Sequence, residues 1–205
     1  GRNSCTVTAC SCRCAKGRAS TTSGCGGWSA STALPCAIAE RPSALVVVGA
    51  QRGFITQATD GDAALTYIHW LLDSPQFEVV IATQFINPDN SPFRRALDYH
   101  DMSLGNPRTE LDERVAERAD RVITTYGYGI DGLDLDLVDD LLRGNNIDAA
   151  LVVGFDTDAC VLATAFSLFD AGIVPVIDSR GCATSGGAGA HEAALTIAAL
   201  NLRVI

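Results

Sequence analysis

Residues 149–161 read AALVVGFDTDACV, a buried strand followed by a glycine turn and the start of a helix. The apolar run at 149–153 predicts a strand that is buried on both faces, as in a parallel sheet. Gly154 opens the turn, and residues 158–171 predict a helix that is apolar almost all round and therefore buried. Cys160 lies in the first turn of this helix, so the chain places a thiol where a strand passes into a helix.

The position of Cys160 suits a nucleophile. Free backbone N–H groups and the positive end of the helix dipole stabilise a thiolate, which is the nucleophilic form of cysteine. The carboxylates of Asp156 and Asp158 oppose this effect, since nearby negative charge raises the pKa of a thiol. The alternative is that Cys160 is a small buried hydrophobic residue, as free cysteines usually are. Cys182 follows in a predicted loop and is interpreted as structural.

Strands alternate with helices on both sides of this stretch. The alternation predicts right-handed βαβ units, and hence a three-layer, Rossmann-like α/β fold with a mostly parallel sheet of five or six strands and helices on both faces. The predicted strands are residues 44–48, 77–82, 121–124, 149–153, 173–177 and, for a sixth, 202–205. The predicted helices are residues 60–72, 110–119, 133–143, 158–171 and 189–200. Ligands bind at the carboxyl ends of parallel strands, so the loops after Val48, Thr124 and Val153 are the candidate site loops.

The charge of the chain restricts its partners. The 205 residues carry a formal net charge of −9, which repels phosphate backbones and argues against nucleic acid. There is no apolar run of about 18 residues, so no membrane partner is expected. The N-terminal part lacks the contiguous apolar segment of a secretory signal, and a cytoplasmic location is predicted. Lys16 is the only lysine, which nearly excludes a catalytic lysine.

Residues 1–40 differ in composition from the rest of the chain. They are rich in Ser, Thr, Gly, Ala and Cys and hold six of the eight cysteines. This composition predicts a low-complexity, disordered leader ahead of one domain at 41–205. The alternative, a metal or disulfide cluster at Cys10-x-Cys12-x-Cys14, lacks the paired spacing of common zinc sites. A third interpretation is that this stretch is read from outside the natural coding frame.

The segment GFDTDACV, residues 154–161, closely resembles the G-x-x-T-D-x-C-V signature of the isochorismatase-like cysteine hydrolases. This family includes nicotinamidases, N-carbamoylsarcosine amidases and isochorismatases. The resemblance continues in the right order over most of the chain. The other matching segments are ALVVVGAQRGF at 44–54, ATQFINPDNSPFRR at 82–95, AGIVPVIDS at 171–179 and HEAAL at 191–195.

The resemblance implies a catalytic triad that is incomplete in this chain. Family members pair the cysteine with an aspartate, as general base on the thiol and then on water, and with a lysine that stabilises charge. An amide substrate then releases ammonia through a thioester. Here the aspartate position is Gly49, and the lysine position aligns with Thr125. A general base is typically worth about 10²–10⁴ in rate, so turnover is expected to be impaired unless Asp60, Asp62 or Asp156 substitutes.

The resemblance also implies a non-proline cis peptide between Phe155 and Asp156. The backbone N–H groups of Asp156 and Cys160 would then form the oxyanion hole. Some family members bind a metal through aspartate and histidine residues after the second strand, and here those positions fall near Phe85 and Asn87. Phenylalanine cannot ligate a metal and asparagine is a poor ligand for zinc or iron, so no metal and no other cofactor is expected.

Aromatic residues on the site loops are candidates for a substrate pocket. Each of them is an equally plausible core residue. They are Phe54, Phe85, Tyr126 and Phe155, with Tyr128 as a further candidate.

Three functional hypotheses remain open. The first is a cysteine hydrolase that acts on a small amide or related C–N substrate through Cys160, with a small molecule as its partner and a homo-oligomer as its assembly. The second is a catalytically impaired relative that binds a small molecule or a protein. The third is an engineered or aberrant form of an enzyme that once had the aspartate and the lysine. A nucleotide-binding fold is least favoured, because the run SGGAGA at 185–190 lacks the G-x-G-x-x-G spacing after a first strand.

Overall fold

A six-stranded sheet organises residues 42–205, the part of the chain that the computed structural model describes. The predicted leader at 1–40, with its cysteine cluster, lies outside the described residues. In chain order the strands are β1 (Ala44–Val48), β2 (Val79–Phe85), β3 (Arg121–Thr125), β4 (Ala149–Phe155), β5 (Val174–Ala183) and β6 (Arg203–Val204). Neighbouring strands are parallel, in the spatial order β3-β2-β1-β4-β5-β6. The prediction of a mostly parallel sheet is confirmed.

Helices connect the strands. In chain order they are α1 (Arg52–Gln57), α2 (Gly61–Leu72), α3 (Pro92–Leu97), α4 (Glu113–Arg118), α5 (Gly132–Gly144), α6 (Leu162–Asp170) and α7 (Gly187–Asn201). The strand order runs one way from β1 to β3 and the other way from β4 to β6. Because βαβ crossovers are right-handed, this reversal places helices on opposite faces of the sheet, which confirms the three-layer α/β fold. None of these described helices combines the length and the apolar character needed to cross a bilayer.

The strand order reverses between β1 and β4, the two central strands. All residues of β1 are buried, and Val48 at its end pairs with Gly154 of β4. In open parallel sheets, ligands bind outside the carboxyl ends of the strands at such a reversal. The segments that begin at Gly49 and at Asp156 leave the sheet at this point, so the fold brings the two predicted site loops side by side.

Strand β4 ends later than predicted. Gly154 and Phe155 remain in the sheet because they pair with Cys182 and Ala183 of β5, after a register shift. Strand β5 is correspondingly longer than predicted, and Cys182 lies within a strand rather than in a loop. The predicted glycine turn therefore belongs to the sheet, and the site loop begins after Phe155.

The helix predicted from residue 158 starts in a different way. A π-helical turn, Thr157–Val161, precedes α6, and the N–H of Val161 donates to the carbonyl oxygen of Asp156 at 3.1 Å. Such turns are rare and are frequent at functional sites. The expectation that this helix is buried all round is wrong, since Phe169 is exposed. Helix α6 packs on the sheet and turns its other face to solvent.

The helix predicted at 110–119 begins later in the structure. Residues 110–112 instead lie along the segment after β1, where the N–H of Asp112 donates to the carbonyl oxygen of Ala50 at 2.8 Å. The carboxylate of Asp112 then caps α4 by accepting the N–H of Val115 at 3.2 Å. Long-range backbone pairing thus overrides the local helical pattern.

Gln51 ties the end of β2 to the segment after β1. Its side chain is fully buried. Its Nε2 donates to the carbonyl oxygens of Phe85 at 2.9 Å and Thr109 at 2.8 Å, and its Oε1 accepts the N–H of Phe85 at 2.7 Å. Both amide hydrogens are used, so Gln51 acts as a saturated clamp that fixes the loop after β2.

We expect Gln51→Leu to lower the free energy of unfolding by about 2–4 kcal/mol, because it leaves buried backbone groups without partners. Urea denaturation measures this loss. The matched control is Gln84→Leu, which removes one bond, from Nε2 to the carbonyl oxygen of Thr109 at 2.9 Å, and should cost about 1 kcal/mol. Equal losses in the two variants would contradict the clamp.

Candidate active site

A cavity of about 280 Å³ opens beside the π-helical turn. Its aromatic lining residues are Phe54, Phe85, Phe93, Tyr99 and Tyr128. Its lining residues with polar side chains or a thiol are Gln57, Asp156, Cys160 and Ser185. The fold has placed this cavity at the carboxyl ends of the strands, where a compact ligand is expected to bind.

The side chain of Cys160 lines the cavity and is partly exposed to it. Burial, and then the negative charge of Asp156, raise the pKa of Cys160 to about 12, while a hydrogen bond from the Asp156 backbone acts in the opposite direction. Desolvation and charge therefore outweigh the stabilisation expected from a helix start. The thiol is protonated at neutral pH, and nucleophilic attack needs a base to take its proton.

Asp156 supplies a carboxylate to the same cavity. Its two carboxylate oxygens accept the N–H of Ser185 at 3.0 Å and the hydroxyl of Ser185 at 2.8 Å. Burial raises the pKa of Asp156, and the bonds from Ser185 oppose that shift. A raised pKa makes a carboxylate a better proton acceptor in catalysis. The peptide bond between Phe155 and Asp156 is cis, as the resemblance implies.

The π-helical turn is held by α7 and by the segment that joins β5 to α7. Thr157 Oγ1 lies 2.9 Å from Nδ1 of His191, and the hydroxyl of Thr184 donates to the carboxylate of Asp158. Asp158 is thus occupied by Thr184 rather than by a helix cap. These contacts fix the backbone that carries Cys160.

The two triad positions that the resemblance assigned are buried and hold no ionisable group. Gly49 has a φ of +54°, and its N–H donates to the hydroxyl of Thr83 at 3.1 Å. A Cβ added at Gly49 would lie 2.8 Å from the carbonyl oxygen of Phe155, closer than such atoms approach. Thr125 ends β3 beside Phe85. Neither Gly49 nor Thr125 is among the described residues that line the cavity.

Of the three carboxylates considered as replacement bases, Asp156 faces the cavity that holds Cys160. Asp60 lines a separate cavity of about 100 Å³ beside α7. Asp62 is exposed in the first turn of α2. The structure therefore leaves Asp156 as the base candidate among the three.

Two of the four predicted pocket residues, Phe54 and Phe85, line the cavity. The assignment of Phe155 to the pocket is wrong, since its side chain is fully buried in the core. The reason is that β4 continues through Phe155, which is a strand residue and not a loop residue. Tyr126 is 58% exposed and lies outside the described lining, whereas Tyr128 belongs to it.

Sequence reasoning missed Phe93 and Tyr99, which lie on and just after α3. One signal was available, because Ser91 followed by Pro92 is a favourable helix start, and the Ser91 hydroxyl accepts the N–H of Arg94 at 3.2 Å. Ser185 was also missed, and no local pattern marks it as a partner of a distant carboxylate.

Comparison with models of protein families identifies the family of this chain. The model of the isochorismatase domain matches residues 43–205. The chain belongs to the isochorismatase family. A comparison with curated proteins gives no match.

Solved structures of this family share the fold. An isochorismatase-like hydrolase from Alkaliphilus metalliredigens has a TM-score of 0.67 at 18% identity, covering 78% of this chain and 92% of that chain. A nicotinamidase from Bacillus subtilis has a TM-score of 0.66 at 23% identity, covering 78% of this chain and 97% of that chain. The pyrazinamidase of Pyrococcus horikoshii, solved in complex with zinc, has a TM-score of 0.66 at 21% identity, covering 79% and 97%.

The residues at the family's metal positions do not fit a metal in this chain. Phe85 offers only a hydrocarbon ring. The Nδ2 of Asn87 donates to the carbonyl oxygens of Tyr99 at 2.8 Å and Asp101 at 2.9 Å, and its Oδ1 accepts the hydroxyl of Ser91. Within residues 42–205, no three His, Cys, Asp or Glu side chains form a cluster that could hold a metal ion. Asn87 is therefore a structural residue of this isochorismatase fold.

We expect the alkylation rate of Cys160 by iodoacetamide to keep rising up to pH 10. The raised pKa of about 12 means that the reactive thiolate is still a minor form there. Asp156→Asn should lower the pKa of Cys160 and increase the rate at pH 8 several-fold, because it removes a negative charge beside the sulfur. Mass spectrometry of the peptide that contains Cys160 measures the rate.

Asp158→Asn is the matched control, since Asp158 acts on the same thiol more weakly than Asp156 does. It should change the rate less than Asp156→Asn. A wild-type profile that levels off near the ordinary thiol pKa of about 8.5 would contradict the shift.

Proposed function

We propose that this isochorismatase-family chain is a cysteine hydrolase of small amides in which Asp156 takes the place of the missing aspartate. One observation carries the proposal: Cys160 and Asp156 line the same cavity at the carboxyl ends of the central strands. The nicotinamidase and pyrazinamidase neighbours support an amide as the substrate class.

In the first half-reaction, the Cys160 sulfur attacks the carbonyl carbon of the amide while the thiol proton passes to the Asp156 carboxylate. Collapse of the tetrahedral intermediate breaks the C–N bond. Asp156 returns the proton to the leaving nitrogen, and ammonia departs. Cys160 is then a thioester and Asp156 is again ionised.

In the second half-reaction, Asp156 takes a proton from water as the water oxygen attacks the thioester carbonyl. Collapse breaks the C–S bond, and the thiolate recovers the proton from Asp156 as the acid leaves. The backbone N–H groups of Asp156 and Cys160 are the proposed donors to the oxyanion in both steps. One carboxylate thus serves as base and acid in turn.

The raised pKa of Cys160 is compatible with this scheme. A thiol and a carboxylate form the resting pair, and the proton moves during attack. The resting enzyme then needs no thiolate, because a base near the sulfur removes the thiol proton during attack and so lowers the barrier.

A second candidate function is a small-molecule-binding domain without turnover. The observation that favours it is the pKa of about 12 at Cys160, together with Gly49 and Thr125 at the two triad positions. In this case the cavity binds its ligand, and the thiol is a packing residue.

Ammonia release from a panel of small primary amides, with nicotinamide among them, separates the two functions. We expect the wild type to release ammonia and Asp156→Asn to be slower by about 10²–10⁴, the usual worth of a general base. Asp60→Asn is the control, since it removes the same charge from a carboxylate that lines a separate cavity. No ammonia from any amide, or equal slowing in both variants, would rule out the proposed role of Asp156.

A further inference from the structure

Four aromatic rings that line the cavity are in contact with one another in a row. Phe85 and Phe93 have ring centroids 4.9 Å apart at an interplanar angle of 67°, and Phe93 and Tyr128 have centroids 4.8 Å apart at the same angle. Phe54 continues the row, with its ring 6.2 Å from Phe85. These rings pack edge to face and line the cavity together, so a ligand in the cavity would contact several aromatic side chains.

The charge of the cavity is negative. Asp156 accepts two hydrogen bonds from Ser185 and lines the same cavity as the rings. Among the described residues that line the cavity, none is lysine, arginine or histidine. Arg108 acts on Tyr99 from outside, but its Nε binds the carboxylate of Asp101 at 2.7 Å. An anionic ligand would therefore meet a carboxylate with no described lining cation to balance it.

We propose that this cavity selects a small cationic ligand, with an alkylated ammonium group held by Phe85, Phe93 and Tyr128. As a substrate class, this means a short amide that carries a quaternary ammonium group, an assignment that rests on the proposed amide hydrolysis. Ring faces attract cations within about 6 Å of their centroids. The Asp156 carboxylate, which lines the same cavity, adds electrostatic attraction, and the methyl groups of such a cation suit the apolar lining.

Two other ligand classes fit the observations less well. A carboxylate-bearing ligand would be repelled by Asp156. A neutral ligand would fill the space and, if aromatic, would pack favourably against the rings, but it would gain nothing from the charge of the carboxylate. The cation uses both features of the cavity.

The test compares two amides of the same shape. (Carbamoylmethyl)trimethylammonium carries the cation, and 3,3-dimethylbutanamide replaces the charged nitrogen with carbon. Calorimetry measures the Kd of each for the full-length Cys160→Ala variant, which does not consume them. We expect the cation to bind about tenfold more tightly. Phe93→Leu in the same background should reduce that preference, because it removes one of the three rings, whereas Phe166→Leu, in the neighbouring groove, should keep it.

Equal affinity for the two amides, or a ratio of their Kd values that is unchanged in the Phe93→Leu variant, would overturn the inference. Binding and hydrolysis fail separately. A cation preference without ammonia release by the wild type supports the proposed cationic ligand and contradicts the proposed amide hydrolysis. Ammonia release from neutral amides without a cation preference supports amide hydrolysis and contradicts the cationic ligand.

Discussion

Replacing Cys160 with alanine is expected to reduce amide hydrolysis at least about 10⁴-fold, because removal of a nucleophile abolishes the covalent route. Cys160→Ser should be similarly slow, since a hydroxyl releases its proton far less readily than a thiol. Serine also keeps the approximate size of the side chain, so a loss in both variants points to chemistry and not to packing. Initial rates of ammonia release at saturating amide measure the effect.

Cys182→Ala is the control for this prediction. Its sulfur is buried and donates to the carbonyl oxygen of Asp178 at 3.2 Å, away from the cavity. We expect it to keep the wild-type rate with a small loss of stability. If Cys160→Ala kept its activity, the thioester route would be wrong and hydrolysis would have to proceed by direct attack of water.

The strands that could be predicted most closely are those whose whole length is apolar. Residues 44–48 were assigned correctly because every side chain of β1 is buried and Gly49 ends the run. β4 was assigned too short, since its last residues include Gly154, whose place in the sheet depends on pairing with β5. The local composition of the sequence indicates which strands are buried. The residue at which a strand ends depends on its backbone pairing with the neighbouring strand.

The candidate site was predictable in part for a related reason. Cys160 stands out because the thiol, the turn and the start of the helix are contiguous in the chain. Phe85 ends β2 and Phe54 lies shortly after β1, and both residues line the cavity. Phe93 and Ser185 reach the cavity through long-range packing that no short pattern encodes. The pKa of Cys160 could not be predicted from the sequence. Burial raises it and a helix start lowers it, and their relative size depends on the three-dimensional structure.

Gly49→Ala is expected to lower the free energy of unfolding by about 2–4 kcal/mol. The left-handed φ of +54° costs a residue with a side chain about 1–2 kcal/mol. The contact between the new Cβ and the carbonyl oxygen of Phe155 at 2.8 Å adds a steric cost of about 1–2 kcal/mol. Chemical denaturation of wild type and variant gives the difference.

Gly105→Ala separates the two costs, because Gly105 has a φ of +82° but nothing within 4 Å of an added Cβ. It should lose only the conformational part, about 1–2 kcal/mol. A loss at Gly49 that is no larger than that at Gly105 would show that the Phe155 carbonyl moves away at no cost.

The same clash bears on activity. Restoring the family aspartate by Gly49→Asp requires the Phe155 carbonyl to shift, and that carbonyl belongs to the peptide that leads into Asp156. We therefore expect Gly49→Asp to be destabilised and not to gain activity, even together with Thr125→Lys. A double variant that folded normally and released ammonia faster than the wild type would show that Gly49 and Thr125 together had disabled the triad, and that Asp156 had not replaced the missing aspartate.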